Sequence, residues 1–343
     1  NYTPQDREGV SYYKETISGQ VLQEGINELG AISSWVAAAT SYSTHNLPMI
    51  PFYIFYSMFG FQRVGDMTWL AGDQQARGFL LGATAGRTTL NGEGLQHEDG
   101  HSHILAGTVP NCISYDPAFA YEVVVIIQDG LRRMYGPDQE NIYYYLTLMN
   151  ETYSQPAMPK GVEKSICKGI YKLLSQNGKM AKVQLLGSGT ILNEVIKASE
   201  ILSEEYGIGS DVYSVTSFNE LTRNGQDVIR HNMLNPDDKP KTPYVTDVMG
   251  NEPAIAATDY MKNYAEQIRA FIPAESYLVL GTDGFGRSDS RENLRTHFEV
   301  NRHYVVLATL SQLSERGDVK KNTVTEAIKK YGIDTSKTNP LFS

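Results

Sequence analysis

The sequence predicts an α/β protein built from two consecutive domains, each with a mainly parallel sheet. Short apolar runs alternate with segments of helical periodicity, and glycine-rich turns follow several of these runs. A stretch without periodicity, Asn150–Lys164, separates two such series and is interpreted as a linker. Because parallel strands end at one common edge of their sheet, we expect the chemistry-bearing loops at the carboxyl edges.

Composition limits the function classes. A length of 343 residues suffices for two domains, each with its own core. The formal net charge of -9 argues against a nucleic-acid partner, which would require a basic face. The longest apolar run, Val123–Ile127, is too short to span a bilayer, and we expect no membrane anchor or leader. Cys112 and Cys167 lack CxxC spacing, so we expect free thiols and a cytoplasmic location.

The first series opens with a polar, turn-rich segment, Asn1–Tyr13. Apolar residues at helical spacing then predict an amphipathic helix over Gly19–Ala39, with Glu28 at the edge of its apolar stripe. On its own, such a glutamate is expected to be exposed. The run Met49–Met58 is too apolar for a sheet edge and predicts a buried strand. The other predicted elements are a helix over Gln62–Gly82, a strand over Val109–Tyr115, a helix over Phe119–Tyr135 and a strand over Ile142–Met149.

The second series begins after the linker with a short helix, Ser165–Leu174. Its turn Gly187-Ser188-Gly189 has Leu192 where a dinucleotide fingerprint would need a third glycine, so a tight strand-to-helix turn is the better interpretation. The predicted strands are Lys182–Leu186, Asp211–Ser217, Tyr244–Met249, Ala254–Ala257 and Tyr277–Leu280. The predicted helices are Ile191–Tyr206, Tyr260–Phe271, Arg291–Val300 and Thr323–Tyr331, the last with a capping box formed by Thr323 and Glu326.

The stretch Thr88–His103, TTLNGEGLQHEDGHSH, combines three histidines, three carboxylates and three glycines. Such a density of titratable side chains predicts a functional site, although a solvated polar loop is the simpler alternative. The titratable residues are His97, His101, His103, Glu93, Glu98 and Asp99.

A zinc peptidase is a distant alternative for this stretch. Residues 97–101, HEDGH, match H-E-x-x-H, in which one helix face holds both histidines, and Glu122 lies downstream as a possible third ligand. Glycine costs about 1 kcal/mol relative to alanine inside a helix, and Gly92, Gly94 and Gly100 lie in or before the motif. The longer three-histidine motif would need glycine where Ile104 stands. We therefore interpret the segment as a loop.

Four segments together resemble one known family. They are LQEGINELGA (22–31), PFYIFYSMFGFQR (51–63), LNGEGLQHEDGHSH (90–103) and GTDGFGRSDSRENLR (281–295). On these segments the chain resembles, from Asn1 to Ser343, the C-terminal part of the thiamine-diphosphate-dependent, decarboxylating first component of the bacterial pyruvate dehydrogenase complex, homodimeric type, within the transketolase-like superfamily.

The resemblance implies two three-layer αβα domains. Residues 1–165 would form a pyrimidine-binding domain with the thiamine-diphosphate-binding fold, and residues 166–343 a transketolase C-terminal-like domain, with the linker at about 150–180. It further implies that the complete enzyme uses thiamine diphosphate and Mg²⁺ to decarboxylate pyruvate and reductively acetylates the lipoyl group of a dihydrolipoyl acetyltransferase subunit. The family is homodimeric, with each active site between two subunits.

The resemblance also assigns roles to individual residues. Glu28 would hydrogen-bond nitrogen N1′ of the aminopyrimidine, and an apolar stripe suits a proton-sharing carboxyl because burial disfavours its charged form. Ile26 would pack against the cofactor, and Tyr56 and Phe59 would hold the aminopyrimidine. His97 would orient the pyruvate carboxylate or manage protons at the substrate end. Supporting roles fall to Glu93, His101 and His103, and no residue of the chain is assigned as a metal ligand.

One expected motif is missing from the chain. The diphosphate and magnesium motif of thiamine enzymes begins with GDG, and the 343 residues contain no GDG. Two functional classes therefore stay open: part of an active pyruvate dehydrogenase, or a catalytically silent folded fragment of that enzyme. In either class we expect the chain alone to be inactive and to bind no cofactor.

Overall fold

The computed structural model describes residues 16–343 and contains two sheets, each covered by helices on both faces. The polar opening segment Asn1–Tyr13 lies outside the described residues. In residues 16–343 every helix is too short or too polar to cross a bilayer. The predicted α/β class, with two αβα units in succession, is confirmed.

The first half of the chain, up to residue 150, contains four strands and five helices within the described range. In chain order they are α1 (Glu28–Ala39), α2 (Ser41–Thr44), β1 (Phe52–Phe55), α3 (Ser57–Asp73), β2 (Phe79–Ala83), α4 (Ser102–Thr108), β3 (Cys112–Tyr115), α5 (Ala120–Tyr135) and β4 (Tyr143–Leu148), with a 3₁₀ turn at Leu95–His97.

The second half, from residue 163, is longer and ends in a helical segment. Its elements are α6 (Glu163–Lys168), β5 (Ile170–Gln176), β6 (Ala181–Gly187), α7 (Leu192–Tyr206), β7 (Ile208–Val215), α8 (Phe218–Leu234), α9 (Tyr244–Val248), β8 (Ala254–Ala257), α10 (Asn263–Glu266), β9 (Tyr277–Leu280), α11 (Arg291–His297), α12 (Arg302–Arg316) and α13 (Lys321–Lys330). Three 3₁₀ turns lie at Gly189–Ile191, Arg269–Phe271 and Pro340–Phe342.

Both sheets are mainly parallel, as predicted. The first sheet has the strand order β1-β2-β4-β3, and every neighbouring pair is parallel. The second has the order β5-β7-β6-β8-β9, in which only β5 runs antiparallel to its neighbour. All strands but β5 therefore deliver their following loops to the carboxyl edge of their sheet.

The carboxyl edges of the two sheets face each other. Asp116 follows β3, and its carbonyl accepts the N–H of Gly189, which follows β6, at 3.1 Å. The Asp116 N–H donates in turn to the carbonyl of Thr216, after β7, at 2.8 Å. Asp259, after β8, accepts the N–H of Thr88, in the loop after β2, at 2.9 Å. The loops of both halves thus meet in one buried junction.

The first helix is shorter than the predicted Gly19–Ala39. It begins at Glu28 because the Asn27 side chain accepts the N–H of Gly30 at 3.1 Å and caps the helix. The preceding segment is not helical and includes Gly25 with a φ of 70°. Glu28 therefore lies in the first turn of a helix rather than on a long apolar stripe.

Two further predictions in the first half are wrong. The strand expected to be buried over Met49–Met58 is the edge strand β1, in which Ile54 is 63% exposed. The helix expected over Gln62–Gly82 ends at Asp73, and Phe79–Ala83 form the interior strand β2. Periodicity alone cannot separate a short buried strand from a buried helical segment, so the FLLGA run was ambiguous.

Three assignments in the second half also change. The helix expected over Ser165–Leu174 stops early because Gly169 has a left-handed φ of 105°, and β5 follows. The strand expected over Tyr244–Met249 is the helix α9, which buries Val245. The helix expected over Tyr260–Phe271 is interrupted and consists of α10 and a 3₁₀ turn.

The sequence prediction omits α8 and α12 and misplaces a cap. In α8 the buried residues Phe218 and Leu221 already show helical spacing, so the signal was present. The last helix begins at Lys321, which puts Thr323 inside α13 rather than at its start. The expected capping box of Thr323 and Glu326 is therefore wrong.

One buried carboxylate ties the helices of the first half to the strands of the second. Glu122 in α5 is fully buried, and its Oε2 accepts the N–H groups of Ala118 at 2.5 Å and Phe119 at 3.0 Å. Its Oε1 accepts the hydroxyls of Tyr171 in β5 and Ser214 in β7, both at 2.6 Å. Four donors satisfy a charge that would otherwise be costly to bury.

Replacing Glu122 with alanine should destabilise the chain strongly. Four buried donors lose their acceptor, so we expect the free energy of unfolding to fall by at least about 3 kcal/mol. Glu200→Ala is the matched control, because Glu200 forms only a surface ion pair with Lys197 at 2.8 Å and should contribute less than about 1 kcal/mol. Calorimetric melting of both variants tests this, and equal midpoints would contradict the assignment.

Candidate active site

Two aromatic side chains emerge where the edge strand ends. β1 stops at Phe55, Tyr56 follows as the N-cap of α3, and Phe59 lies in the first turn of that helix. Their ring centroids lie 6.0 Å apart, and Tyr56 is 43% exposed. The ring planes are inclined by 61°, so this half-exposed pair offers an angled apolar surface to a ligand.

His97 lies against the same two rings. It ends the 3₁₀ turn Leu95–His97, and its imidazole centroid is 5.3 Å from that of Tyr56 and 5.0 Å from that of Phe59. The imidazole Nδ1 lies 3.2 Å from the carbonyl of Gly94 and 3.8 Å from Oε2 of Glu93. The structure therefore places Glu93 beside the imidazole of His97.

Glu28 reaches the aromatic pair through an arginine. The Arg63 Nη1 donates to Glu28 Oε1 at 2.6 Å, and the guanidinium lies over the Phe59 ring at 4.0 Å from its centroid. The Glu28 side chain is 19% exposed. Sequence reasoning missed Arg63, although its position four residues after Phe59 on a helix places both on one face.

The four predicted residues Glu28, Tyr56, Phe59 and His97 thus form one cluster around the start of α3. A carboxylate lies on one side of the aromatic pair and an imidazole lies against it. This arrangement fits a flat heterocycle that stacks on aromatic rings and makes a hydrogen bond along its edge, as an aminopyrimidine would.

Three other candidate residues lie apart from this cluster. Ile26 is 99% exposed and precedes the helix on which it was expected. The His101 Nε2 lies 2.8 Å from Nε2 of Gln62, which belongs to α3. His103 is fully buried in the junction, and its Nε2 lies 2.8 Å from the Thr147 hydroxyl.

The environment of His103 suits packing rather than proton transfer. Its ring stacks on Tyr264, with centroids 4.9 Å apart, and meets the edge of Tyr260 at 4.9 Å. Burial lowers the pKa of His103 to about 3, so the imidazole is neutral at physiological pH.

The geometry does not support zinc binding by HEDGH. The 3₁₀ turn ends at His97, and Glu98 has extended backbone, so His97 and His101 do not share a helix face. Glu122, the possible third ligand, is buried among donors from other elements. Across residues 16–343, no three His, Cys, Asp or Glu side chains are grouped to hold a metal ion.

The structure places a set of buried titratable side chains in the junction between the two halves. Glu98 and Asp99 belong to the predicted stretch, and the structure adds Asp116, Asp259 and Arg87, which the sequence analysis did not single out. Burial raises the pKa of Asp116 to about 7 and that of Glu98 to about 8. The partners of Asp259 lie about 170 residues away in sequence, so no local pattern could have identified it.

Comparison with known protein families gives two matches along the chain. The pyruvate dehydrogenase E1 component middle domain matches residues 1–156. The transketolase-like TK C-terminal domain matches residues 169–301. The gap between the two matches overlaps the linker predicted from sequence, whose boundaries stay a prediction.

Solved structures of low sequence identity share the fold. Transketolase from Campylobacter jejuni superposes with a TM-score of 0.60 at 18% identity, over 80% of this chain and 38% of that chain. A split-gene transketolase, described as an inactive β4 tetramer, superposes with a TM-score of 0.54 at 14% identity, over 82% of this chain and 81% of that chain.

Curated relatives are far closer in sequence. The chain is 68% identical over 342 residues to the pyruvate dehydrogenase E1 component of Escherichia coli K12. The match covers 100% of this chain and 39% of that protein. It is 61% identical over 345 residues to the corresponding protein of Haemophilus influenzae, again with 39% of that protein covered. Over its whole length the chain is therefore similar to the pyruvate dehydrogenase E1 component of these bacteria, and it spans 39% of the length of the E. coli relative.

Proposed function

We propose that this chain supplies the aminopyrimidine side of the active site of a pyruvate dehydrogenase E1 component. The complete enzyme would decarboxylate pyruvate and reductively acetylate the lipoyl group of a dihydrolipoyl acetyltransferase subunit. The observation that carries the proposal is the cluster of Glu28, Tyr56, Phe59 and His97, four residues that family resemblance singled out and that lie together in the fold.

The residues of the cluster would have different roles in cofactor binding, proton sharing and substrate orientation. Thiamine diphosphate, when bound, supplies the nucleophilic carbon and the electron sink of the reaction. Glu28 would hold a shared proton at N1′ of the aminopyrimidine, while Tyr56 and Phe59 hold the ring in place by stacking. His97 would orient the pyruvate carboxylate, with Glu93, 3.8 Å from its Nδ1, aligning the imidazole.

Arg63 adds a positional constraint on the carboxyl group. Its guanidinium donates a hydrogen bond to Glu28 Oε1 and packs over the Phe59 ring. The carboxylate and the aromatic ring are therefore held close together before any ligand binds. We infer that Arg63 pre-orients Glu28 and thereby lowers the ordering cost of cofactor binding.

The second class, a catalytically silent fragment, stays open as the alternative for the 343 residues taken alone. The chain spans 39% of the length of the E. coli relative, and it contains no GDG to start a diphosphate and magnesium motif. Thiamine diphosphate and Mg²⁺ are therefore proposed for the complete enzyme. The chain by itself would present only the aminopyrimidine contacts.

We also propose that the chain forms a homodimer through the region around β1. Phe52 and Ile54, on one face of this edge strand, are 46% and 63% exposed. Exposing an apolar edge strand to water is unfavourable for a monomer, and such a strand can instead be covered by a partner subunit. Other exposed apolar side chains in the neighbouring sequence are Leu29, Leu47, Met49 and Ile50.

The role of Glu28 can be tested in the complete enzyme. Glutamine cannot share a proton with N1′, so Glu28→Gln should lower turnover at least about a hundredfold at saturating cofactor. Glu24→Gln is the matched control, because the Glu24 carboxylate accepts the Ser34 hydroxyl at 2.5 Å instead of facing the cluster. Steady-state kinetics with pyruvate measures both, and near-normal turnover of Glu28→Gln would refute the role.

Titration calorimetry distinguishes the two functional classes for the chain alone. One hydrogen bond and some stacking must offset the ordering cost of binding, so the affinity for thiamine diphosphate with Mg²⁺ should be millimolar at best. We expect no measurable heat at micromolar concentration and no release of carbon dioxide from pyruvate. Saturable micromolar binding would show that a diphosphate site exists within the 343 residues.

Sedimentation velocity tests the homodimer. The chain should sediment as a dimer at micromolar concentration, and Ile54→Lys should shift it to the monomer because the charge would be buried in the interface. Val124→Lys, at a 54% exposed apolar position in α5, is the matched control and should remain dimeric. A monomeric parent chain, or equal effects of the two substitutions, would contradict the proposed interface.

A further inference from the structure

We propose that the second half of the chain shapes the loop that carries His97, and that Glu98 is the positioning residue that fixes it. The proposal deepens the proposed function and rests on it, because it assigns a role to the neighbour of His97. The loop in question is residues 88–103, and the surface that shapes it consists of residues 259–264 and the loop 281–291, which follow β8 and β9.

The start of the His97 loop is bound by one aspartate of the second half. Asp259 Oδ1 accepts the N–H of Thr88 at 2.9 Å and its hydroxyl at 2.5 Å. Oδ2 accepts the N–H of Thr89 at 3.1 Å and its hydroxyl at 2.6 Å. Arg291 Nε also donates to the carbonyl of Thr89 at 2.7 Å. These groups fix where the loop begins.

The end of the loop is bound by the residues that follow Asp259. The N–H of Met261 donates to the carbonyl of Gly100 at 2.8 Å. His103 packs between Tyr260 and Tyr264, and all three side chains are fully buried. Both ends of the loop are therefore held by the segment after a single strand, β8.

The loop after β9 holds the middle. The N–H of Gly92 donates to the carbonyl of Asp289 at 3.2 Å, and the N–H of Arg287 donates to Glu98 Oε2 at 2.5 Å. A Cβ at Gly286 would lie 2.5 Å from the carbonyl oxygen of Leu95 and 2.9 Å from the Cβ of Glu98. The backbone of the second half thus lies directly against the turn that carries His97.

Glu98 connects this surface to His97. The two residues are adjacent, yet the imidazole lies on Tyr56 and Phe59 while the Glu98 side chain is fully buried against the second half. Glu98 Oε1 has no hydrogen-bond partner in the part of the chain that the structure describes. A buried carboxyl with an unpartnered oxygen is held by shape and by its one backbone donor, which makes its position depend on loop 281–291.

The charges around Glu98 favour its neutral form. Burial raises its pKa to about 8, with the nearby Asp259 adding to the rise, while the Arg287 N–H and Arg87 oppose it. Arg87 is shared with Asp99, Asp259 and Asp283, so it is not available to Glu98 alone. At neutral pH the side chain is therefore mostly a carboxylic acid.

The direction of the pH effect follows from this shift. The folded protein holds the Glu98 proton up to about pH 8, whereas the ordinary glutamate value is 4.5. The folded state consequently binds more protons than the unfolded chain in that window, and its stability falls as the pH rises from 4.5 to 8. Glutamine at this position cannot ionise and should remove that part of the pH dependence.

Hydrogen–deuterium exchange in the complete enzyme tests the shaping of the loop. Gly286→Ala pushes on Leu95 and Glu98 from the second half without touching His97, so protection factors of amides in residues 88–103 should fall roughly tenfold. Phe285→Ala, in the same loop at an 83% exposed position, is the matched control and should leave them unchanged. Equal protection in Gly286→Ala and the parent enzyme would overturn the proposal.

Substitutions of Glu98 test its positioning role separately. At pH 7 Glu98→Gln should retain the protection of residues 88–103 and the kcat/KM for pyruvate, whereas Glu98→Ala should lower both roughly tenfold. At pH 9 the parent enzyme should lose protection and Glu98→Gln should not. Loss of protection in Glu98→Gln at pH 7, or the same pH response in both proteins, would refute the role. An inactive parent enzyme would reject the proposed function, while the exchange data would still decide the inference.

Discussion

The fold depends on a buried junction in which the carboxyl edges of two parallel sheets face each other. At its centre the Asp259 carboxylate receives four hydrogen bonds from two consecutive threonines of the other half. Burying an ionised carboxylate is strongly unfavourable unless its oxygens accept hydrogen bonds. Asp259 can therefore be buried here only because the two threonines donate to it. The arrangement also fills the edge at which the second sheet would otherwise offer a ligand site of its own.

This junction explains how the two halves divide their roles. The Asp259 and His103 side chains between the sheets are fully buried, whereas Tyr56 remains 43% exposed at the end of an edge strand. A site that is half open on one side of a chain is suited to completion by another surface, such as the second subunit of the homodimer that we propose. In this interpretation the second half positions the His97 loop and does not form a second active site.

Arg63 and Glu98 act at opposite ends of the site. Arg63 lies at the surface and joins Glu28 to the Phe59 ring, the two groups to which we assign proton sharing and stacking in the proposed function. Glu98 is buried and joins the turn of His97 to a loop almost two hundred residues later in the chain. The first contact is local on the surface of α3 and α1. The second exists only because two sheets pack edge to edge.

Much of the fold could be predicted from periodicity, because alternating apolar runs and helical segments are local properties of the chain. The α/β class, the mainly parallel sheets and α5 followed in this way. The errors arose where local signals compete: the Asn27 cap shortens α1, Gly169 ends α6, and FLLGA in β2 is equally consistent with strand and helix.

The sequence by itself determined the family resemblance and, through it, the candidate residues, because motifs as long as LNGEGLQHEDGHSH are specific. The resemblance assigned His97 the main role and His101 and His103 supporting ones, but it could not show their surroundings. Only the tertiary structure does so: His97 lies on Tyr56 and Phe59, while His103 is buried among tyrosines of the second half. The physical reason is that burial and hydrogen bonding depend on residues far apart in sequence, such as Glu98 and the Arg287 N–H that it accepts, which no local pattern relates.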